Sequence, residues 1–344
     1  MSDLPTGVLV LIFVAAAVAT WIAGVRLASA TDVIDEAYGL GEALGGMILL
    51  SIVGSLPEVA ITVSAAASGN LGIAAGNLIG GVAMQTLVLA IADRFVRGDR
   101  PLTALASSLV PALEGILVIA VVGTTMISGL LPESAAIGRV GAGTIAIVVI
   151  WAVGMKVLDG VRNRPDLTFA DPGVPTARSE TDEQPPKDAT RRALVVFGAG
   201  AVVTLFAGVV LERSGNVLAD NWGINGVLFG ATILAAATAL PEISTGIAGV
   251  RLHRYTLVFG DMFGGNAFQL TLFLFADLIA GQPVLSSEGA ANAFIAGTGL
   301  VMTAVYVTGL ILRPRRRYLS LGLDSWVAVL VYVLGIWGLT VVAR

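Results

Sequence analysis

Two five-residue segments, 184 residues apart, each place a proline and a glutamate inside a long apolar stretch. They are Gly54-Ser55-Leu56-Pro57-Glu58 and Thr238-Ala239-Leu240-Pro241-Glu242. A carboxylate in hydrocarbon costs roughly 2.5–3.5 kcal/mol on insertion scales, so two of them at equivalent positions indicate a shared role. Hydrophobic segments interrupted by proline at matching places in two halves of a chain are typical of the ion site of a membrane transporter.

The match between the two halves continues without a gap beyond these segments. Upstream, Val33, Tyr38, Gly39, Leu40 and Gly46 fall on Val217, Trp222, Gly223, Ile224 and Gly230. Downstream, Gly76-Asn77-Leu78-Ile79-Gly80-Gly81 falls on Gly260-Asp261-Met262-Phe263-Gly264-Gly265, Gln85 on Gln269 and Asp93 on Asp277. We interpret the chain as two copies of one ancestral unit.

The composition is that of a membrane protein. Hydrophobic residues make up 56% of the chain and charged residues 13%, against about 25% charged in soluble domains. Apolar windows of about 20 residues can cross a bilayer. Ten such windows occur, near residues 6–28, 39–67, 71–92, 104–127, 136–157, 192–212, 224–249, 255–280, 289–312 and 323–343. The absence of cysteine excludes thiol catalysis and iron–sulfur ligation, and the single histidine, His253, cannot build a zinc site.

A polar stretch rich in Pro, Asp, Glu and Arg, residues 159–190, divides the predicted helices into two groups of five. We predict a first repeat over residues 1–158, a cytoplasmic linker over 159–190 and a second repeat over 191–344. Positively charged loops stay in the cytoplasm. In a topology with both termini outside, Arg139, Arg213 and Arg344 are the only ones of the 20 Lys and Arg residues that lie on the outer side. An odd number of helices per repeat then predicts an all-α integral membrane protein whose ten helices form two inverted five-helix repeats.

The two Pro-Glu segments predict an oxygen-lined cation site. Proline has no backbone N–H, so carbonyl groups just upstream, near Gly54 and Thr238, lose their helical partners. Glu58 and Glu242 follow each break directly, and Gln85 and Gln269 can each offer a neutral oxygen to the site. Such oxygen donors suit Ca²⁺, which takes six to eight oxygen ligands and tolerates irregular geometry.

Other interpretations of the same residues remain open. Pro and Glu also mark ordinary helix starts, and the glutamines also serve as packing residues between helices. Asn77 and Asp261 are expected near helix starts and Asp93 and Asp277 at helix ends. Glu114, which has no counterpart in the second half, is either a proton-coupling group or a side chain that reaches the membrane interface.

These motifs resemble the Ca²⁺/cation antiporter superfamily, specifically the sodium/calcium exchanger type, which carries two inverted repeats with a Gly-Thr-Ser-Leu-Pro-Glu signature. The resemblance implies that Glu58 and Glu242 are the central Ca²⁺ ligands, that oxygens near Gly54, Ser55 and Thr238 complete the site, and that the first and sixth helices slide against the other eight. It also implies a multi-pass protein of the cell membrane whose partners are the lipid bilayer and inorganic cations, with no nucleic acid, no cofactor and no obligate protein partner.

Departures from the family pattern concern the coupling ion. The serines that the family places at the start of the glycine-rich helices are Gly81 and Gly265 here, and Gln85 and Gln269 replace an asparagine and an aspartate. Several presumed Na⁺ ligands are therefore missing, and glutamine at this place is more reminiscent of the proton-coupled branch. The resulting expectation is an antiporter, not an enzyme, that exchanges Ca²⁺ for Na⁺ or H⁺. The alternatives are a passive cation channel and an intramembrane protease.

Overall fold

The computed structural model describes residues 1, 3–38, 51–162, 164, 167, 186–286 and 289–343. Its first half contains α1 (Thr6–Tyr38), α2 (Leu56–Ser68), α3 (Leu71–Arg94), a short α4 (Leu102–Leu105), α5 (Val110–Ser128), a 3₁₀ turn (Glu133–Ala135), a hairpin of β1 (Ala136–Ile137) and β2 (Val140–Gly141), and α6 (Ala142–Arg162). Residues 51–54 form a further helical turn before α2.

The second half repeats this order of elements. It contains α7 (Lys187–Trp222), α8 (Gly226–Phe229), a π-helical turn (Gly230–Leu234), α9 (Ala235–Thr238), α10 (Leu240–Arg251), α11 (Tyr255–Gln269), a 3₁₀ turn (Leu270–Leu272), α12 (Phe273–Ala280), α13 (Gly289–Leu312), a hairpin of β3 (Arg317–Tyr318) and β4 (Leu321–Gly322), and α14 (Leu323–Val342). Each hairpin pairs antiparallel directly before the last helix of its half. The repeat seen in the sequence is therefore also a repeat of secondary structure.

The number of predicted membrane helices is confirmed only in part. Eight helices of the described chain are long and apolar enough to cross a membrane, and the bent segment Gly226–Arg251 makes a ninth if it counts as one span. The structure describes the remaining predicted span, 39–67, only from residue 51 onward. The described part contains α2, an apolar helix shorter than a membrane span. Most of the predicted linker likewise falls outside the described residues, and its described ends continue α6 and begin α7.

The core is built around the two glycine-rich helices. In α3, 89% of the apolar window is buried, and in the span formed by α11 and α12 it is 72%, whereas α6 and α14 bury 17% and 28%. Gly80 of α3 lies against Ala231, where a methyl group on the glycine would come within 2.4 Å of the alanine Cβ. Small residues thus allow the two halves to approach at backbone distance, as they commonly do between membrane helices.

Two buried aspartates join the halves in a reciprocal way. Asp277 accepts hydrogen bonds from the Gly141 backbone N–H (3.0 Å) and the Thr144 hydroxyl (2.7 Å) of the first half. Asp93, its equivalent, accepts them from the Gly322 N–H (2.6 Å) and the Ser325 hydroxyl (2.8 Å) of the second half. Each half therefore supplies a carboxylate that binds the hairpin of the other half.

Candidate cation-binding site

Both Pro-Glu segments interrupt a helix as the sequence predicts. The helical run that ends at residue 54 resumes at Leu56, and the run that ends at Thr238 resumes at Leu240. The residues between, Ser55 (φ −88°, ψ 10°) and Ala239 (φ −80°, ψ 0°), share one backbone conformation outside the helical region. In the second half the break bends the segment by 47°. Because helix exists on both sides of each break, the alternative of an ordinary helix start does not describe them.

Glu58 and Glu242 lie at the centre of the protein and close to one another. Glu58 is completely buried and Glu242 is 8% exposed, yet both Glu58 carboxylate oxygens and the Glu242 Oε2 have no hydrogen-bond partner among the described residues. Their charges act on each other directly. Two neighbouring carboxylates without donors are strongly unfavourable in a medium of low polarity, and a bound cation would offset that cost.

The other predicted ligands differ in how near they come to this pair. Thr238 is 1% exposed, and its side chain lies beside the Glu58 carboxylate of the other half. Its hydroxyl donates to the Ala235 carbonyl at 3.2 Å. The Ser55 hydroxyl is turned back to the Ser51 carbonyl at 2.8 Å. Gly54 supplies only its backbone, directly before the break. Thr238 thus lies beside Glu58, whereas the Ser55 hydroxyl bonds to a carbonyl on its own side of the break.

Gln85 and Gln269 bond to each other across the interface between the halves. The Gln85 Nε2 donates to the Gln269 Oε1 at 3.1 Å, and the Gln269 Nε2 donates to the Leu78 carbonyl at 2.9 Å. No hydrogen bond joins either glutamine to Glu58 or Glu242 in the part of the chain that the structure describes. The geometry therefore matches the packing interpretation of the glutamines.

These glutamine side chains occupy the space beside Gly81 and Gly265. A methyl group built on Gly81 would lie 2.9 Å from the Gln269 Nε2, and one built on Gly265 would lie 3.4 Å from the Gln85 Oε1. Each glutamine thus reaches the glycine of the opposite half. The amide groups fill positions where a serine hydroxyl would otherwise stand.

Asp261, which is expected near a helix start, instead lies beside the site. It lies well inside α11, where its carboxylate accepts a hydrogen bond from the Thr245 hydroxyl at 3.2 Å, and its charge acts on Glu242. Its equivalent, Asn77, lies inside α3, and neither polar atom of that fully buried side chain has a partner among the described residues. The sequence does carry one indication of this role, because Asp261 places a charged group where the first half has an amide.

The acidic side chains alone do not form a complete metal centre. No group of three or more His, Cys, Asp or Glu side chains within the described ranges is arranged to hold a metal ion. Glu114 lies within α5 and is 3% exposed. A cation between Glu58 and Glu242 would therefore need backbone carbonyls, the Thr238 hydroxyl or water to complete its coordination.

Comparison with known proteins agrees with this architecture. The family described as sodium/calcium exchanger protein matches residues 8–155 and 192–342. The chain belongs to this family. Inner membrane protein YrbG of Escherichia coli (strain K12) is 26% identical over 265 residues, which cover 77% of this chain and 75% of that protein. Members are transporters rather than enzymes, and the chain is a multi-pass membrane protein.

Two solved exchangers share the fold of this exchanger-family chain. The H⁺/Ca²⁺ exchanger CAX superposes with a TM-score of 0.63 at 14% identity, covering 98% of this chain and 88% of the other. The sodium–calcium exchanger NCX_Mj superposes with a TM-score of 0.61 at 14% identity, covering 97% and 99%. At such identity the likeness concerns the fold alone. The match includes both a proton-coupled and a sodium-coupled protein, so it does not distinguish between the coupling ions.

Proposed function

We propose that the chain is a secondary active antiporter that exchanges Ca²⁺ for monovalent cations by alternating access. The observation that carries this proposal is the buried pair Glu58 and Glu242, each placed at a helix break, with both Glu58 oxygens and the Glu242 Oε2 lacking a donor among the residues that the structure describes. Freed carbonyls at the same breaks, near Gly54 and Thr238, add neutral oxygens. Family membership and the name of the CAX structure point to the same class of cargo.

The inverted arrangement of the halves is part of the proposal. Reciprocal contacts support a twofold relation between the halves. Asp93 and Asp277 each bind the hairpin of the opposite half, and Gln85 bonds to its own equivalent, Gln269. With five spans in each half, that axis would lie in the membrane plane, which is the usual architecture of alternating-access carriers. The cytoplasmic linker and the outward-facing termini follow from the distribution of basic residues.

The moving part in this proposal is the gating pair, α1 and α7, which pack chiefly against one another. Each crosses a Pro-Glu segment at a glycine. A methyl group on Gly24 would come within 2.7 Å of the Pro241 ring, and one on Gly208 within 2.6 Å of the Ala60 Cβ and 3.1 Å of the Pro57 carbonyl. The pair therefore lies directly against both halves of the candidate site and can cover or uncover it by a small displacement.

We favour H⁺ over Na⁺ as the coupling ion. Two carboxylates suffice to bind two protons, whereas Na⁺ needs additional hard oxygen ligands around the central site. The positions beside Gly81 and Gly265, where hydroxyl groups would supply them, are filled by the Gln269 and Gln85 amides. Exchange of one Ca²⁺ for two monovalent cations leaves the loaded site neutral in both directions, which avoids moving net charge through hydrocarbon.

The test is ⁴⁵Ca²⁺ uptake into proteoliposomes under imposed gradients, with Glu58→Gln and Glu242→Gln as site variants. Each substitution removes one charge from the pair while keeping the side-chain size, so we expect loss of uptake in a protein that still inserts. Glu36→Gln, an exposed glutamate on α1, is the matched control and should transport normally. Uptake that proceeds equally well without any cation on the opposite side would instead favour a passive channel.

A further inference from the structure

A fully buried glutamate on the gating pair contacts the first half of the core. Glu212 of α7 accepts hydrogen bonds from the Ser64 hydroxyl (2.7 Å) and the Asn70 Nδ2 (2.8 Å). Ser64 lies on α2, the helix that carries Glu58, and Asn70 precedes α3. Glu212 comes one helical turn after Gly208, which rests on the Pro57–Ala60 backbone. The carboxylate is thus placed between the candidate site and the loop that joins α2 to α3.

This contact has no equivalent in the second half. The position that corresponds to Glu212 is Ala28, and the position that corresponds to Ser64 is Ala248. A charged side chain inside a membrane-spanning helix is costly unless it serves a function or is well paired. Since the repeat does not require it, the glutamate is a feature of one side of the protein only.

The residues around this contact are also more buried in the first half than their equivalents in the second half. Ser64 is 7% exposed and its neighbour Ala65 is fully buried, while the corresponding residues Ala248 and Gly249 are exposed and half-buried. Beside Glu212, Leu211 is also fully buried. The seam between α2 and α7 is therefore closed at Ser64 and Ala65, and the corresponding stretch of α10 is less covered.

Glu212 is suited to hold that closure reversibly. In the closed arrangement its carboxylate accepts two hydrogen bonds, and bonds to a charged group are stronger than those between neutral groups. If α7 moved away from α2, water could solvate the same carboxylate in the opened route. Both arrangements satisfy the charge, whereas an apolar side chain at this position would favour closure only.

From this geometry we infer that Glu212, Ser64 and Asn70 form a polar latch that closes the route to Glu58 on the α2 side and releases when the gating pair moves. The inference rests on the proposed alternating access. Glu212 acts in it as a positioning residue, through the contact of α7 with α2, and not as a ligand of the transported ion. The latch gives the two routes different stabilities, so it biases the carrier toward closure on the face that carries the 69–70 loop.

The latch can be tested by cysteine labelling, because the native chain has no cysteine. Ala65→Cys places a reporter in the closed seam, to be labelled by a membrane-impermeant maleimide from the face of the 69–70 loop. We expect slow labelling in the parent, at least about tenfold faster labelling with Glu212→Ala, and intermediate rates with Glu212→Gln and Ser64→Ala. The control is Ser214→Ala, a fully buried residue of the same helix whose hydroxyl bonds, among the described residues, to the Val210 and Leu211 carbonyls of its own helix.

Equal labelling rates in the Glu212→Ala and Ser214→Ala variants would overturn the latch. If Glu212→Ala fails to insert, Glu212→Gln and Ser64→Ala carry the comparison, and rates equal to the control would again overturn it. The same preparations are assayed for ⁴⁵Ca²⁺ uptake. Absence of uptake in the parent would contradict the proposed function, while the labelling rates would still decide the latch, since they do not depend on the cargo.

Discussion

The reciprocal aspartates make a quantitative prediction about how the two halves are held together. Asp277 accepts hydrogen bonds from the Val284 N–H at 2.8 Å, the Gly141 N–H at 3.0 Å and the Thr144 hydroxyl at 2.7 Å. Asp277→Asn keeps one carbonyl oxygen but turns the other acceptor into an NH₂ group that faces donors. Loss of one hydrogen bond to a charged group costs about 2 kcal/mol, and a buried donor left facing the new NH₂ group adds about 1–2 kcal/mol, so the substitution should cost about 3–4 kcal/mol.

The equivalent residue should respond in the same way. Asp93 accepts from the Leu102 N–H at 2.8 Å, the Gly322 N–H at 2.6 Å and the Ser325 hydroxyl at 2.8 Å, which repeats the pattern around Asp277. We therefore expect Asp93→Asn to destabilise the protein by a similar amount, and the double variant to lose both contributions because the two clusters share no hydrogen-bond partner among the described residues.

The assay is thermal unfolding of the purified protein in detergent, followed by size-exclusion chromatography with fluorescence detection. A loss of about 3–4 kcal/mol should lower the apparent Tm by about 10 °C, taking roughly 2–4 °C per kcal/mol for chains of this order of size. Asp220→Asn, an exposed aspartate on α7, is the control and should change Tm little. A shift no larger than this control for either buried aspartate would refute the view that these carboxylates hold the halves together.

Three further predictions follow from the site and from the topology. Gly208→Ala should slow Ca²⁺ exchange or destabilise the protein by about 1–3 kcal/mol, because its methyl group would meet the Ala60 Cβ at 2.6 Å. The control is Gly198→Ala, whose methyl group would meet nothing within 4 Å. Equal behaviour of the two variants would contradict the close contact of α7 with α2. A single cysteine in the 159–190 linker should be labelled only from the cytoplasmic side, and labelling from outside would contradict the inverted topology. Ca²⁺ flux should respond little to an imposed membrane potential, and strong voltage dependence would contradict exchange for two monovalent cations.

The membrane architecture could be predicted largely from the sequence because hydrophobic length and proline chemistry are local properties. Windows of about 20 apolar residues locate most of the spans. Pro57 and Pro241 cannot donate to the preceding turn, and each helix is broken two residues before its proline, at Ser55 and Ala239. The π-helical turn at Gly230–Leu234 carries no comparable signal in the sequence.

Side-chain partners were predicted less well, since they depend on how distant helices meet. Gln85 and Gln269 are predicted at the cation site from their spacing, and the structure shows that their amide groups bond to each other between the two halves. The partners of Asp93 and Asp277 carry no signal in the sequence, because each aspartate binds the hairpin of the opposite half, far along the chain. Glu212 was missed because comparison of the halves highlights only what they share, and Ala28 stands at its equivalent position.

The central claim, that the buried glutamate pair carries Ca²⁺ in exchange for monovalent cations, is tested most directly by gradient-driven ⁴⁵Ca²⁺ uptake in proteoliposomes. The account predicts uptake that is driven by an outward H⁺ gradient, that stops when no exchangeable cation is present inside, and that is lost in both Glu58→Gln and Glu242→Gln while Glu36→Gln retains it. Uptake in either site variant that equals the parent would contradict the account, because the transported ion would then not depend on the paired carboxylates.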